Sequence, residues 1–289
     1  MAGAHPIADA TAEAIHAACA GAVTAAGIDW LAPARAFEIA FDGDPDSLRA
    51  ALRGMEDEWL LDCNIVPSEN RRKRLLIADM DSTIIGCECI DELADMAGLK
   101  PKVAAITERA MRGELDFAAA LRERVALLQG LPLEALARVY AERVRLNKGA
   151  RALTATMRAH GAHTILVSGG FTYFTTRVAE DAGFQENQGN RLLDDGKVLT
   201  GKVAEPVLGR EAKLKALEGA LARRGLSPGD ALAVGDGAND LEMIKRAGLG
   251  VAYHAKPIVA AAAGASVAHG DLTALLYLQG YRASEIVQP

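Results

Sequence analysis

The chain contains 289 residues, of which 50% are apolar and 24% charged, and this composition favours a folded core over extensive disorder. The formal net charge of −6 disfavours nucleic acid or an anionic membrane surface as the main partner. No apolar run approaches the ~20 residues of a membrane-spanning helix, and four cysteines without a C-x-x-C pair indicate reduced thiols and a cytoplasmic location.

Residues 1–70 are predicted to form a small α+β module. Its expected order is helix, strand, helix and strand, over residues 8–26, 36–41, 46–57 and 59–66. This order partly resembles the ferredoxin-like ACT modules that bind amino acids, although the segment before residue 8 has little strand character. We therefore favour a packing or dimerisation role over amino-acid sensing, and dimerisation through this module would make the protein a homodimer. The polar, basic segment 67–74 is predicted to be a linker.

From Leu75 onward, predicted strands alternate with helices, which is typical of an α/β fold with a doubly wound parallel sheet. The buried strands are predicted from apolar runs at residues 75–78, 163–167, 231–234 and 249–253. Residues 88–146 have helical patterns and almost no strand signal, so we expect a helical insertion directly after the first strand. The core is then assigned to residues 71–87 and 147–289, with a short hairpin near 191–200.

Two aspartates, Asp79 and Asp81, follow the first predicted strand. Carboxylates at this end of a strand lie where open α/β sheets bind their ligands. The two side chains would repel each other unless a cation or a shared proton neutralised them, so the pattern suggests Mg²⁺ and one carboxylate acting as a nucleophile. A plain turn capped by both aspartates is the alternative.

Two further strand ends carry polar side chains that would meet Asp79 and Asp81 at the same edge of the sheet. Ser168 and Gly169 follow the second strand and could offer a hydroxyl and backbone N–H groups to an anion, or could simply begin a helix. Asp236 and Asp240 follow the third strand in a glycine-rich turn, where they could complete a Mg²⁺ site. The alternatives are a plain turn or a fragment of a Ca²⁺-binding loop, although the later acidic ligands of an EF-hand are missing. Lys213, near the start of a helix, could neutralise the aspartates or contact a phosphate, or could be exposed.

Together these residues resemble a known family. Asp79-x-Asp81-x-Thr83, Ser168, Lys213 and Gly235-Asp236-x-x-x-Asp240 are similar, in order, to the four motifs of the haloacid-dehalogenase-like phosphohydrolases. The resemblance is closest to the phosphoserine phosphatase branch of that family, because Glu88 and the segments 113–117, 121–128, 167–172 and 235–240 also match. It covers about residues 75–280.

The resemblance implies a role for each matching residue. Asp79 would be the nucleophile that forms an aspartyl-phosphate, and Asp81 would protonate the leaving oxygen and then activate water. Mg²⁺ would be bound by Asp79, the backbone carbonyl of Asp81 and Asp236, with support from Asp240. The phosphoryl group would be contacted by Ser168, the Gly169 amide, Lys213 and Asn239.

The helical insertion resembles the cap of this family, which implies that it selects the substrate. Glu88 would face a substrate ammonium group, and Arg124 would pair with a carboxylate. Met111 and Phe117 would supply apolar walls that exclude water when the cap closes. The alternative for Arg124 is an exposed helix pair with an acidic neighbour such as Glu123 or Asp116.

The combined interpretation is Mg²⁺-dependent hydrolysis of O-phospho-L-serine to L-serine and phosphate, the last step of serine biosynthesis. Alternatives are a phosphatase or phosphotransferase of the same fold that acts on another small phosphomonoester, such as phosphohomoserine or a sugar phosphate, a non-catalytic amino-acid sensor, and a cation-binding structural module. The opposite charges of Glu88 and Arg124 favour an amino-acid zwitterion over a sugar.

Overall fold

The computed structural model describes residues 1, 5–112 and 114–288, without the side chain of Met111. The chain begins with a helix and four short strands, α1 (Asp9–Ala22), β1 (Thr24–Ala25), β2 (Asp29–Ala32), β3 (Ala36–Glu38) and β4 (Phe41–Asp42), followed by α2 (Pro45–Leu52) and α3 (Met55–Trp59). β1 pairs with β4 and β2 with β3, both antiparallel. Ile15 and Cys19 of α1, Leu48 of α2 and Leu61 form a small core of their own, whereas the buried residues of β2 and β3 pack in the main core, which also contains side chains of the large sheet.

Several predicted elements of this first region are wrong in extent or kind. The first helix ends at Ala22 rather than near residue 26, and the second breaks before Gly54, which has a positive φ of 86°. The N-cap of α2 is Asp44, whose carboxylate accepts hydrogen bonds from two backbone N–H groups. Residues 60–66 form no strand, and the strands β1 and β2 lie where none was predicted.

The segment predicted as a strand at 59–66 instead attaches this first region to the rest of the molecule through side chains. Asp62 is 3% exposed, and its carboxylate accepts hydrogen bonds from the backbone N–H groups of Ala268, His269 and Gly270 at 2.7–3.0 Å. The Asn64 amide exchanges two hydrogen bonds with the backbone of Ser266. In this segment, side chains therefore make the hydrogen bonds that backbone groups would make in a strand.

The remaining strands are β5 (Leu75–Ala78), β6 (His163–Phe171), β7 (Glu186–Asn190), β8 (Leu192–Asp194), β9 (Leu199–Val203), β10 (Ala231–Gly235), β11 (Leu249–Tyr253) and β12 (Ala265–Val267). Six of them form one parallel sheet in the order β12-β11-β10-β5-β6-β7, and β8 pairs with β9 as an antiparallel hairpin. After β5 the chain adds β6 and β7 on one side of β5, and it later adds β10, β11 and β12 on the other side. The direction of strand addition therefore reverses between β5 and β10. A crevice at such a reversal is where ligands bind in doubly wound sheets.

Helices cover both faces of this sheet, and the predicted doubly wound α/β fold is confirmed. They are α8 (Ala150–Ala159), α9 (Thr172–Ala182), α10 (Arg210–Arg224), α11 (Leu241–Arg246), α12 (Pro257–Ala260) and α13 (Ala274–Leu278). Because side chains alternate along a strand, Leu76 and Ala78 face the core that contains α8, α9 and α13, whereas Leu75 and Ile77 face the core that contains α10 and α11.

Between β5 and α8 the described residues form four helices, α4 (Cys89–Met96), α5 (Lys100–Met111), α6 (Phe117–Ala126) and α7 (Leu133–Arg143). We refer to residues 88–146 as the insertion. A turn with π-helical hydrogen bonding at Met80–Ile84 leads from β5 toward the insertion. An antiparallel bridge pairs Ile85, just before the insertion, with Leu146 at its end. In the part of the chain that the structure describes, no helix has the length and apolarity needed to cross a membrane.

Candidate active site

The predicted site residues of the core converge at the carboxyl end of the sheet. Asp79 follows β5 directly, and its backbone N–H donates to the carbonyl of Val234 in the neighbouring β10. Asp236 follows β10 on the same edge. Ser168 lies within β6, where the pairing with β7 is irregular between Val167 and Phe171. The alternative that Ser168 caps a helix does not hold, because α9 begins after Phe171 and has no side-chain cap.

A buried lysine joins two of the aspartates. Lys213, in the first turn of α10, donates to Asp79 Oδ1 at 2.7 Å and to Asp240 Oδ1 at 2.6 Å. All three side chains are at least 90% buried, so the alternative of an exposed lysine is wrong. The second oxygen of Asp240 accepts from the backbone N–H of Gly237 at 3.0 Å. Asp240 is thereby fixed as a partner of Lys213.

Asp81 has a different set of partners. Its Oδ1 accepts from the backbone N–H of Cys89 at 2.9 Å, and its Oδ2 accepts from the Ser168 hydroxyl at 3.0 Å. Gly170 comes so close that a Cβ at this position would lie 2.8 Å from Asp81 Oδ2. Burial raises the pKa of Asp81 even though these hydrogen bonds oppose the shift. Asp81 is held by neutral donors alone, in contrast to Asp79, which contacts Lys213.

Three carboxylates could hold a cation. Oxygens of Asp79, Asp236 and Asp240 lie within 4.8 Å of one another. The Thr83 hydroxyl donates to Asp236 Oδ1 at 3.3 Å, a contact that sequence reasoning missed although Thr83 is the threonine of the D-x-D-x-T pattern. A donor set made only of oxygen suits a hard cation such as Mg²⁺. The side chain of Asp81 lies outside this group because it is turned toward Ser168 and Cys89.

Four carboxyl groups, those of Asp79, Asp81, Asp236 and Asp240, share the site with the single ammonium group of Lys213. Burial raises the pKa of Asp79 well above its usual value, with repulsion from Asp240 in the same direction and Lys213 opposing both. Burial also raises the pKa of Asp236. For Lys213, burial lowers the pKa, but the charges of Asp79 and Asp240 outweigh it and the net shift is upward. The single ammonium group of Lys213 does not neutralise all of these carboxylates, and a bound divalent cation would relieve the remaining repulsion between them.

Glu88 lies at the mouth of the site, just before α4. Its Oε1 accepts from the Ser82 hydroxyl at 2.8 Å, a contact that sequence reasoning missed. Ser82 has a φ of 56°, in the left-handed region of the backbone that residues other than glycine seldom adopt. Solvent reaches Glu88, but the surrounding protein removes part of the hydration of its carboxylate. This desolvation and the negative charge of Asp81 raise the pKa of Glu88 to about 7.

Arg124, in α6, has no carboxylate partner among the described residues. Its Nε donates only to the Ala120 carbonyl one turn earlier, at 3.3 Å. The acidic residues proposed as alternative partners are engaged elsewhere, since Glu123 accepts from Arg109 and Asp116 caps α6. Burial lowers the pKa of Arg124, and the charges of Asp91 and Glu88 oppose this shift. A half-buried guanidinium in this state is suited to a ligand carboxylate.

Phe117, the first residue of α6, brings the insertion into contact with the core. Its ring lies against Gly169 and Gly209, at positions where an added Cβ would be 2.8 and 3.2 Å from ring carbons. The side chain of Met111 lies outside the described residues. Asn239 lies half-buried in the turn before α11, with its amide oxygen against Gly237, and none of the hydrogen bonds above involves it.

Comparison with known proteins agrees with this geometry. The model of the haloacid dehalogenase-like hydrolase family matches residues 76–245. The phosphoserine phosphatase of Archaeoglobus fulgidus is 42% identical over 234 residues, which are 80% of this chain and 68% of that protein. That of Albidiferax ferrireducens is 47% identical over 210 residues, 71% of this chain and 89% of that protein. The crystal structure of a HAD family hydrolase from Salmonella enterica serovar Typhi superposes with a TM-score of 0.78, at 31% identity and over 84% of both chains.

Proposed function

The chain belongs to the haloacid dehalogenase-like hydrolases and, within them, to the phosphoserine phosphatases, and we propose that it hydrolyses O-phospho-L-serine to L-serine and phosphate through an aspartyl-phosphate, at the end of serine biosynthesis. One observation carries this proposal. Asp79 and Asp81 are two residues apart, but Asp79 is bound to a buried lysine and Asp81 to neutral donors. Such a difference suits one carboxylate for attack and the other for proton transfer.

Asp79 is proposed as the nucleophile. Its Oδ1 accepts from both Lys213 and the backbone N–H of Met80, whereas its Oδ2 accepts no hydrogen bond from the described residues. Oδ2 is therefore the atom that attacks phosphorus, while Oδ1 fixes the direction of the carboxylate. Lys213 also favours the ionised form of Asp79, which is the nucleophilic form.

Asp81 is proposed as the acid and base. With its pKa raised by burial, it can hold the proton that the departing serine oxygen requires and can later take a proton from the attacking water. Its contacts with Cys89 and Ser168 hold the carboxyl in place during both steps. The same group therefore serves the formation and the breakdown of the aspartyl-phosphate.

Mg²⁺ is the cation that the oxygen donors fit. Asp79, Asp236 and the backbone carbonyl of Asp81 would hold it, with Asp240 supporting the site from its bond to Lys213. When bound, Mg²⁺ would neutralise charge on the carboxylates and on the phosphoryl oxygens.

Substrate recognition is divided between the core and the insertion. Ser168, the Gly169 N–H, Lys213 and Asn239 are proposed to contact the phosphoryl oxygens. Glu88 would bind the ammonium group and Arg124 the carboxylate of phosphoserine, and this assignment is supported by a guanidinium that has no other carboxylate partner among the described residues. Phe117 and Met111 would form the apolar walls around the serine carbon atoms.

The wider properties of the protein stay as predicted from the sequence. We propose a cytoplasmic enzyme that acts on a small molecule rather than on nucleic acid or at a membrane, in keeping with its net charge of −6. We keep the division into a module of residues 1–70, a core of residues 71–87 and 147–289, and a cap of residues 88–146, and we propose that the first module mediates a homodimer.

Phosphate release from a panel of monoesters tests the function. With Mg²⁺, phosphoserine should be the preferred substrate over phosphohomoserine, phosphoethanolamine, which lacks the carboxylate, phosphoglycolate, which lacks the ammonium group, and a sugar phosphate. Asp79→Asn should abolish release and leave the fold intact, whereas Asp57→Asn, at an exposed position, should behave like the wild type. A preference for sugar phosphates, or turnover by Asp79→Asn, would refute the assignment.

A further inference from the structure

Asn190, at the end of β7, lies beside the candidate active site and makes three hydrogen bonds to backbone groups. Its side chain is almost fully buried, with the residue 2% exposed. Nδ2 donates to the Gly169 carbonyl at 2.8 Å and to the Leu208 carbonyl at 3.1 Å, and Oδ1 accepts from the Leu208 N–H at 2.7 Å. Both N–H donors of the amide and its oxygen are thus used on two separate segments.

The bond to Gly169 fixes one end of a peptide group whose other end holds Ser168. The carbonyl of this peptide accepts from Asn190, and its N–H, that of Gly170, donates to the Ser168 hydroxyl oxygen at 2.8 Å. The same hydroxyl donates to Asp81 Oδ2 at 3.0 Å. A short chain of hydrogen bonds therefore runs from Asn190 through one peptide plane to Ser168 and Asp81.

The bonds to Leu208 fix the approach to α10. Helix α10 begins at Arg210, two residues after Leu208, and carries Lys213 in its first turn. Residues 191–207, which lie between Asn190 and Leu208, contain the β8–β9 hairpin, and this hairpin is hydrogen-bonded to the insertion through Gly130, Leu131 and Leu133. The Asn190 side chain and the Leu208 backbone thus join the two ends of segment 191–207 by hydrogen bonds, at the point where this segment meets the core.

We propose that Asn190 is a positioning residue for the phosphoryl pocket. Its amide holds the Ser168 hydroxyl and the start of the helix that carries Lys213 at a fixed separation, so that both reach the same phosphoryl group. The inference rests on the proposed function for the identity of the substrate, but it makes a separate claim about phosphate binding. Positioning of this kind acts on catalysis because small displacements of binding groups lower rates by up to about 100-fold.

Asn190→Ala tests this proposal in the full-length protein with saturating Mg²⁺. We expect kcat/KM for phosphoserine to fall about 10- to 100-fold and inorganic phosphate to inhibit about tenfold more weakly, while inhibition by L-serine changes less than twofold. Gln279→Ala is the matched control, because Gln279 is an equally buried amide bonded to backbone groups at the opposite end of β5. It should lower the free energy of unfolding by a similar amount and leave all three constants within about twofold.

A second variant perturbs the next peptide group, between Gly170 and Phe171, which adjoins the one that Asn190 holds. In Gly189→Ala, the added Cβ would lie 3.1 Å from the Gly170 carbonyl oxygen and 2.9 Å from Thr175 Cγ2, so phosphate inhibition should weaken there as well. This variant decides the question if Asn190→Ala does not fold. The proposal is overturned if the folded variants bind phosphate as the wild type does, or if Gln279→Ala weakens phosphate binding equally.

Calorimetric titration with inorganic phosphate separates this inference from the proposed function. If the wild type releases no phosphate from phosphoserine, the proposed function fails, but phosphate affinity can still be compared between the wild type, Asn190→Ala and Gln279→Ala. Weaker phosphate binding by Asn190→Ala alone would then support the positioning role by itself, and equal binding by all three would refute it.

Discussion

The contact between Phe117 and Gly169 gives the sharpest prediction about the insertion. Phe117 belongs to the insertion and Gly169 to the proposed phosphoryl pocket of the core, and the ring fills the space that a side chain at residue 169 would need. A Cβ there would lie 2.8 Å from Cζ and 3.4 Å from Cε2 of the ring. Gly169→Ala should therefore separate the insertion from the pocket without removing any hydrogen-bonding group.

The size of the effect follows from the overlap. Extra methyl groups in packed sites cost about 1–3 kcal/mol, and every 1.4 kcal/mol corresponds to a factor of about ten. If turnover requires the closed arrangement, kcat/KM should fall about 5- to 150-fold. The φ angle of Gly169 lies outside the left-handed region, so alanine can adopt the same backbone conformation and retain the N–H.

A double-mutant cycle is the assay. Gly169→Ala should lower kcat/KM by the full factor in the wild-type background, but by less than about threefold in the Phe117→Ala background, where the obstructing ring is gone. Gly209→Ala, whose Cβ would lie 3.2 Å from Cδ1 of the same ring, should have a smaller effect, and Gly27→Ala, with open space around it, should have none. An equal loss from Gly169→Ala in both backgrounds would refute the steric argument.

Three further predictions concern pH, the cation and the attachment of the first region. Because the pKa of Glu88 is raised to about 7, the carboxyl is neutral below that pH and ionised above it, so kcat/KM for phosphoserine should rise through neutral pH relative to phosphoglycolate, which has no ammonium group. Parallel pH profiles for the two substrates would contradict the pairing of Glu88 with the ammonium group. Chelation by EDTA should abolish phosphate release and lower the Tm, since clustered carboxylates then repel one another, and Mg²⁺ should restore both, whereas full activity in EDTA would exclude a metal requirement. Asp62→Ala removes the acceptor of three backbone N–H groups and should lower the free energy of unfolding in urea by at least about 3 kcal/mol, and a loss no larger than that of the exposed Asp57→Ala would argue against this attachment.

The parallel sheet and the position of its ligand-binding edge could be predicted from local sequence. Buried strands such as Leu75–Ala78 are continuous apolar runs, and alternation with helices requires parallel pairing. Once the strands are assigned, topology places Asp79 and Asp236 at one edge, because parallel strands end on the same side. For this reason the sheet is parallel, as predicted, and the two aspartates lie together in the structure.

The first region could not be predicted as well because its structure depends on distant partners. The segment from Trp59 to Val66 has the apolar content of a strand, but Asp62 and Asn64 pair with backbone groups more than 200 residues later. Local propensity contains no information about those partners. A short apolar run with polar positions therefore formed a docking segment where periodicity alone predicted a strand.

The difference between Asp79 and Asp81 has the same origin. Both are buried aspartates of one motif, and their pKa values are raised mainly by burial, so neither residue type nor spacing distinguishes their chemistry. The distinction comes from what the fold brings to each of them, a lysine from α10 to Asp79 and the Ser168 hydroxyl from β6 to Asp81. Exchanging the two roles would require exchanging these partners, so Asp81 should not replace Asp79 as the nucleophile in Asp79→Asn, even though a carboxylate remains two residues away.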